Sequence, residues 1–335
     1  MKKVLITGAS GFVGSFLIEE AIARGFKPIA GIRKTSSKKY LTNPQIDFIY
    51  FNLFDKEQIK QQLNEYTAKN GKIDYIIHNA GVTKVKKLGD FMKVNYECTR
   101  NFIEAIIESS NIPEKYIQIS SLAAFGPGSN TRLEPVKLSD QPQPNTEYGR
   151  SKLKAEEWVR SINELPWIIF RPTGVYGPRE TDYFVYLKTI QRGWEPYIGF
   201  KSQYLTFIYV KDLVRLAFDA LESPIKHKSY FVADGKVYLS EEYADIVKKH
   251  LNKKTIKIRV PLFLVRFISV LLEFFYGIFG RTPLLNKDKY NILSSLNWKC
   301  EVEPLYNDFN FIAQYDLDKG VKESIEWYKE NKWLK

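Results

Sequence analysis

Tyr148 and Lys152 stand four residues apart in "NTEYGRSKLKAEEW", residues 145–158. Four residues is about one helical turn, so both side chains leave one face of a helix. A surface helix with a snorkelling lysine would carry the same pair. The alternative is chemical: the ammonium holds the phenol acidic enough to exchange protons near neutral pH. A free phenol titrates near ~10, too high for that task without help.

A second cluster lies at the start of the chain. "ITGASGFVGSFLIEEAIARG" places Gly8, Gly11 and Gly14 between an apolar run and an amphipathic one. Gly8 would allow a tight turn, Gly11 a close approach of backbone to a pyrophosphate, and Gly14 close packing of helix on strand. The helix N-terminus would offer free N–H groups to the phosphates. This predicts a dinucleotide site rather than an idle glycine turn. The second apolar run ends in "AGIRKTSSKKY", and no acid occurs between Glu20 and Asp47. A carboxylate for a ribose 2′-hydroxyl is therefore missing, while Arg33 and Lys34, with Lys38 and Lys39 behind them, suit a 2′-phosphate. NADP is expected over NAD.

These residues need a scaffold. Short apolar runs ("KVLITG", "KPIAGI", "IDFIYFNL", "DYIIHNA", "YIQISS", "WIIFRP") alternate with helical patterns over about 15–23, 56–68, 88–109 and 148–162. Nearly continuous apolar strands between helices predict an α/β fold, a Rossmann-type doubly wound parallel sheet covered on both faces. The Pro-rich stretch 126–145 reads as either an active-site flap or a plain surface loop. "YLTFIYVKDLVRLAFDAL" predicts a strand and helix rejoining the sheet, and "KSYFVADG" a further strand. The expected division is a cofactor domain over 1–172, rejoined by about 203–232. A smaller, mixed α/β substrate lobe would take 173–202 and 233–335.

The chain has 335 residues and a formal net charge of +12. No basic run with interleaved aromatics marks a nucleic-acid module, so no nucleic-acid partner is expected. Cys98 and Cys300 are too few and too distant for a disulfide framework, and His78, His227 and His250 lack ligand spacing, so no metal is expected. The N-terminus enters a strand directly, which reads as cytoplasmic.

At this point the sequence resembles the extended short-chain dehydrogenase/reductases, the NAD-dependent epimerase/dehydratase superfamily, over nearly its whole length. The motifs fall in the family's order: "TGASGFVG"; "FNLFD", with Asn52 where an aspartate is usual; "HNAGVT"; "QISSLAAFG"; "YGRSK"; and "RPTGVYGP". The resemblance implies that Tyr148 is the general acid/base, that Ser121 hydrogen-bonds the substrate oxygen, and that Lys152 also holds the nicotinamide ribose. It implies cofactor contacts at Ser10, Phe12, Val13, Asn52, Leu53, Asn79, Ala80, Gly81, Pro172 and Val175, beside the glycines. Asn95 matches a common family asparagine and is read here as a structural hydrogen bond within its helix.

Two positions bear on substrate. Nucleotide-sugar members usually carry an asparagine in the turn after Arg-Pro and an arginine before the returning strand; here stand Gly174 and Leu205. That pattern is similar to dihydroflavonol reductases and 3β-hydroxysteroid dehydrogenases. It implies an apolar steroid-, lipid- or flavonoid-like small-molecule substrate. Two alternatives stay open: a nucleotide-sugar epimerase or dehydratase, and a non-catalytic NADP-sensing protein. "LFLVRFISVLLEFFYGIFG", 262–280, is apolar except for a stripe of Arg266, Ser269, Glu273, Gly277 and Gly280. It is expected to be a buried core helix, a wall of an apolar pocket, or an interfacial helix. In the last case residues 253–280 would meet an anionic membrane surface, peripheral to its inner face. A homodimer is admitted by the resemblance, without an interface signature in the sequence.

Overall fold

The six apolar runs form strands, buried almost throughout except for the edge strand Asp47–Tyr50, where only Ile49 is buried. The computed structural model describes residues 1–278, 283 and 285–334. The chain runs β1 (Lys3–Thr7), α1 (Phe12–Ala23), β2 (Lys27–Ile32), β3 (Asp47–Tyr50), α2 (Lys56–Asn70), β4 (Tyr75–His78), a π-helical stretch (Met92–Glu97), α3 (Cys98–Glu108), β5 (Lys115–Ile119), α4 (Glu147–Ser161) and β6 (Trp167–Pro172). Strands β1 to β6 pair in parallel. The polar helix α2 is set by its caps: Asp55 accepts from the Gln58 N–H at 3.0 Å, and Gly71 ends the helix at φ 78°.

The chain continues through β7 (Gly174–Tyr176), α5 (Asp182–Gln191), β8 (Trp194–Ile198), β9 (Tyr204–Leu205), β10 (Phe207–Tyr209), α6 (Val210–Glu222), β11 (Lys228–Val232), β12 (Tyr238–Leu239), α7 (Ser240–Leu251), β13 (Ile256–Val260), α8 (Leu262–Ile278), α9 (Lys287–Ser294), α10 (Glu303–Phe309) and α11 (Leu317–Glu330). The main sheet has seven strands in the order β11-β6-β5-β4-β1-β2-β3. Strand order reverses between β1 and β4, the switch point at whose carboxyl ends this class of sheet places its ligands. The Rossmann-type fold predicted from the alternation is thus present.

Two compact units divide the chain. The first comprises 1–124, 147–171 and 214–230; the second comprises 125–146, 172–213 and 231–335. The first is held by an apolar cluster around Leu5, Ile76, Phe102, Tyr116 and Ile169, the second by an aromatic-rich cluster around Tyr176, Phe207, Tyr243 and Tyr328.

Three expectations need correction. The second unit is about as large as the first, not smaller, and the segment 125–146 belongs to it. The strand in "YLTFIY" does not rejoin the main sheet: β10 pairs with β7 in a separate ribbon, and β11 makes the return instead. The stretch 126–145 is a largely exposed loop, as one of its two readings had it, and it is tied within the second unit. Val136 exchanges backbone bonds of 2.9 Å with Lys299 and Glu301, and Asn297 Nδ2 donates to Glu134 O at 2.7 Å. Finally, α8 is not a core helix. Phe263 and Phe267 are 75% and 64% exposed, and the buried positions are Val265 and Ser269. Ser269 buries its hydroxyl by donating to Arg266 O at 2.8 Å. The polar stripe therefore includes part of the packed face, and apolar side chains face outward.

Candidate active site

The turn from β1 into α1 builds the first wall. Gly8 adopts φ +65°, a left-handed conformation that favours glycine. A Cβ at Gly14 would stand 2.1 Å from Gly8 O, so only glycine lets α1 approach the strand this closely. Helix α1 has Gly11 as its N-cap with no side-chain cap. Among the described residues nothing accepts from the N–H groups of Ser10, Phe12 and Val13. Uncapped donors at a helix N-terminus are the partners a pyrophosphate needs, so the residues present fit a dinucleotide.

Asn79, Ala80 and Gly81 follow β4 and lie against that turn. Ala80 N–H donates to Thr7 Oγ1 at 3.1 Å, and Asn79 Nδ2 reaches Gly8 O at 3.5 Å. His78 lies beneath, buried between Thr7 Oγ1 at 3.0 Å and Thr99 Oγ1 at 3.1 Å. Burial, with the Lys152 charge adding to it, pushes its pKa down to about 3, so it stays neutral.

At the end of β2, Arg33 and Lys34 are exposed, and among the described residues neither has an acidic partner. Lys38 differs: it donates to the Tyr50 hydroxyl at 2.7 Å and lies 4.0 Å from the Phe48 ring centre. Asn52 accepts from Phe54 N–H at 3.3 Å in a local turn, and Leu53 packs on the core. Pro172 ends β6 and Val175 sits within β7; both fall in the second unit.

The catalytic candidates come together on α4. Tyr148 hydrogen-bonds the side chain of Ser121, which lies just beyond β5. The Phe91 ring meets Tyr148 edge-on, 5.7 Å between centroids at 62°. Lys152 is buried and donates from Nζ to Ile119 O at 2.7 Å, on the carbonyl that ends β5. Its Nζ would lie 3.8 Å from a Cβ built on Gly81, which puts the ammonium beside the β4 turn.

The electrostatics depart from the simple expectation. Burial raises the Tyr148 pKa, and the Ser121 hydrogen bond opposes that rise. Burial in turn lowers Lys152 to about 8, against the attraction of Glu156. The cation that was to acidify the phenol is thus itself easier to discharge.

Asn95 is structural, as read, but its bonds leave the helix. Its Oδ1 accepts from Val82 N–H at 2.8 Å, and its Nδ2 donates to Val82 O at 3.1 Å and to Ser151 Oγ at 3.0 Å. It ties the turn after β4 to α4 from within the π-helical stretch, a form of helix often found at functional sites. Sequence reasoning missed this stretch, Phe91, Ser151 and the buried pair Glu156–Arg171. Glu156 alone had a signal: it stands four residues beyond Lys152, on the face that carries Tyr148.

The chain matches the family model "NAD dependent epimerase/dehydratase family" over residues 4–233 and belongs to that family. It is 24% identical over 345 residues to a putative UDP-glucose 4-epimerase of Methanocaldococcus jannaschii, covering 98% of this chain and 99% of that one. It is 26% identical over 345 residues to a sterol-4-alpha-carboxylate 3-dehydrogenase (decarboxylating) of Dictyostelium discoideum, covering 96% and 100%. Among solved structures, a dTDP-glucose 4,6-dehydratase from Bacillus anthracis in complex with NAD superposes with a TM-score of 0.77 at 17% identity, covering 100% and 98%. The chain is therefore an NAD(P)-dependent enzyme of the extended short-chain dehydrogenase/reductase type.

Proposed function

We propose that this member of the family is an NADP(H)-dependent oxidoreductase that interconverts a ketone and a secondary alcohol on an apolar substrate. One observation carries the substrate class. At Gly174, where nucleotide-sugar members usually carry an asparagine, a Cβ would stand 2.3 Å from the Tyr183 hydroxyl and 2.9 Å from the Phe207 ring. Aromatic side chains fill the space of the missing amide. Leu205 packs against the same aromatic cluster. A diphosphate would find neither of the polar partners that make such binding strong.

In the reductive direction the reduced nicotinamide, when bound, supplies a hydride to the carbonyl carbon. The protein's part is positioning and proton transfer. Ser121 donates a hydrogen bond to the substrate oxygen as negative charge develops there, and Tyr148 delivers its hydroxyl proton to that oxygen. Lys152, anchored on Ile119 O, presents its charge beside the β4 turn and favours the phenolate left on Tyr148. Preference for NADP rests on Arg33 and Lys34, which among the described residues have no acidic partner and stand where an NAD site would place a carboxylate.

A nucleotide-sugar epimerase or dehydratase is the second reading, supported by the relatives named above. In that case the cofactor is regenerated within each cycle. Purified protein assayed with NADPH against apolar ketones, and separately with UDP- and dTDP-sugars without added cofactor, distinguishes the two. NADPH oxidation by apolar ketones is expected; sugar turnover without added cofactor would overturn the reductase reading.

A further inference from the structure

We propose that α8 and the basic segment before it form a docking surface for an anionic lipid bilayer. The assignment goes beyond the substrate reading and does not depend on it. At 100° per residue, Val270, Phe263, Phe267, Leu271, Leu264 and Phe275 fall within an arc of about 140°. All six are exposed, and no charged residue lies within the arc. The opposite side of the helix is buried through Val265 and Ser269, so the orientation is set by packing. Leu262 packs on Gly199, and the adjacent Phe200, 70% exposed, extends the apolar surface beyond the helix.

Charge identifies the occupant. Residues 246–272 contain Lys248, Lys249, Lys253, Lys254, Lys257, Arg259 and Arg266 and no acid. Some of these are paired: Lys248 with Glu195 at 2.9 Å and Asp245 at 2.7 Å, Lys249 with Asp318 at 2.8 Å, Lys257 with Glu195 at 3.7 Å, and Arg259 with Glu241 at 2.9 Å. Lys253 and Lys254 follow the left-handed Asn252 that ends α7, and no acid lies within ion-pair distance of them among the described residues. Arg259 Nη1 donates to Phe200 O at 3.1 Å, which sets one cation of this segment against the apolar surface, and an exposed apolar helix face preceded by a cationic segment matches the interface of a bilayer with anionic headgroups. No helix among the described residues is long and apolar enough to cross a membrane, so α8 would lie in the interface plane.

The test is co-sedimentation of the full chain with phosphatidylglycerol-containing vesicles and with pure phosphatidylcholine vesicles, at low and high salt. We expect binding to the anionic vesicles, weakened about tenfold or more on neutral vesicles or in high salt. Phe263→Glu/Phe267→Glu and Lys253→Glu/Lys254→Glu should each reduce binding at least about tenfold while retaining NADP affinity. Absence of binding by the unaltered chain overturns the assignment. So does binding that the phenylalanine substitutions leave intact, or a dimer in light scattering that those substitutions split. If the phenylalanine variant loses its circular dichroism signal, the lysine variant and the lipid series decide.

Discussion

Glu156 accepts a two-pronged hydrogen bond from Arg171, Nε to Oε2 at 2.9 Å and Nη2 to Oε2 at 2.7 Å with Nε also 3.1 Å from Oε1, one helical turn beyond Lys152. Both side chains are sealed from solvent, Arg171 at 1% and Glu156 at 0% exposure, and Ser120 Oγ donates to the same carboxylate. The carboxylate thus joins β6, the end of β5 and α4, the three elements that carry or flank Ser121, Tyr148 and Lys152.

Breaking that pair leaves a charge buried without its counterpart. Glu156→Gln is expected to destabilise the fold by about 3–5 kcal/mol. Urea unfolding measures this, and a loss below about 1 kcal/mol would show that the pair is dispensable.

Tyr148→Phe removes the hydroxyl proposed as the proton donor and leaves the ring, with its Phe91 contact, in place. Turnover should fall by about 10²–10⁴-fold, with NADP affinity unchanged within about twofold. Steady-state kinetics with a fluorescence titration of NADPH tests both halves. Retained turnover would exclude Tyr148 as the acid.

Lys152 gives stability a pH dependence of definite sign. Its folded pKa, about 8, lies below the ordinary 10.5. Between those values the unfolded chain holds a proton that the folded chain has released, so this group's contribution to stability rises with pH across about 8–10.5. Below that window its burial cost is present in full. Unfolding free energies measured at pH 7.5 and pH 10 should therefore rise more for the natural chain than for Lys152→Met. Equal changes would mean that the ammonium is not held in a charge-disfavouring site.

Gly14→Ala forces a methyl to within 2.1 Å of Gly8 O, where backbone rather than a flexible side chain must yield. The expected result is at least a tenfold loss of NADP affinity, because α1 is displaced from the position that aims its N–H groups. Isothermal titration checks it. Undiminished affinity would mean that the glycine loop does not hold the phosphates.

Arg33→Ala should weaken NADP by about tenfold and leave NAD nearly unchanged, since only the 2′-phosphate offers the guanidinium a charged partner. Parallel titrations with the two cofactors give the ratio. An equal effect on both would remove the basis for NADP preference.

Much of this was legible in the residues because it is local. A strand, a glycine turn and a helix N-terminus are consecutive in sequence, so Gly8, Gly11 and Gly14 carry their geometry with them. Tyr148 and Lys152 share a face through helical periodicity alone, and the apolar strands announce a sheet covered on both sides. Tertiary structure decided the rest, because the deciding partner lies far along the chain. Lys152 bonds the carbonyl of Ile119, 33 residues earlier. Asn95 turns out of its helix to Val82 and Ser151, and the 126–145 segment is pinned by residues 297–301. The clearest case is α8. Its composition calls for burial, and periodicity names a polar stripe, but which face meets protein depends on what packs against it. The structure buries Ser269 and leaves Phe263 and Phe267 in solvent, an outcome no one-dimensional pattern contains.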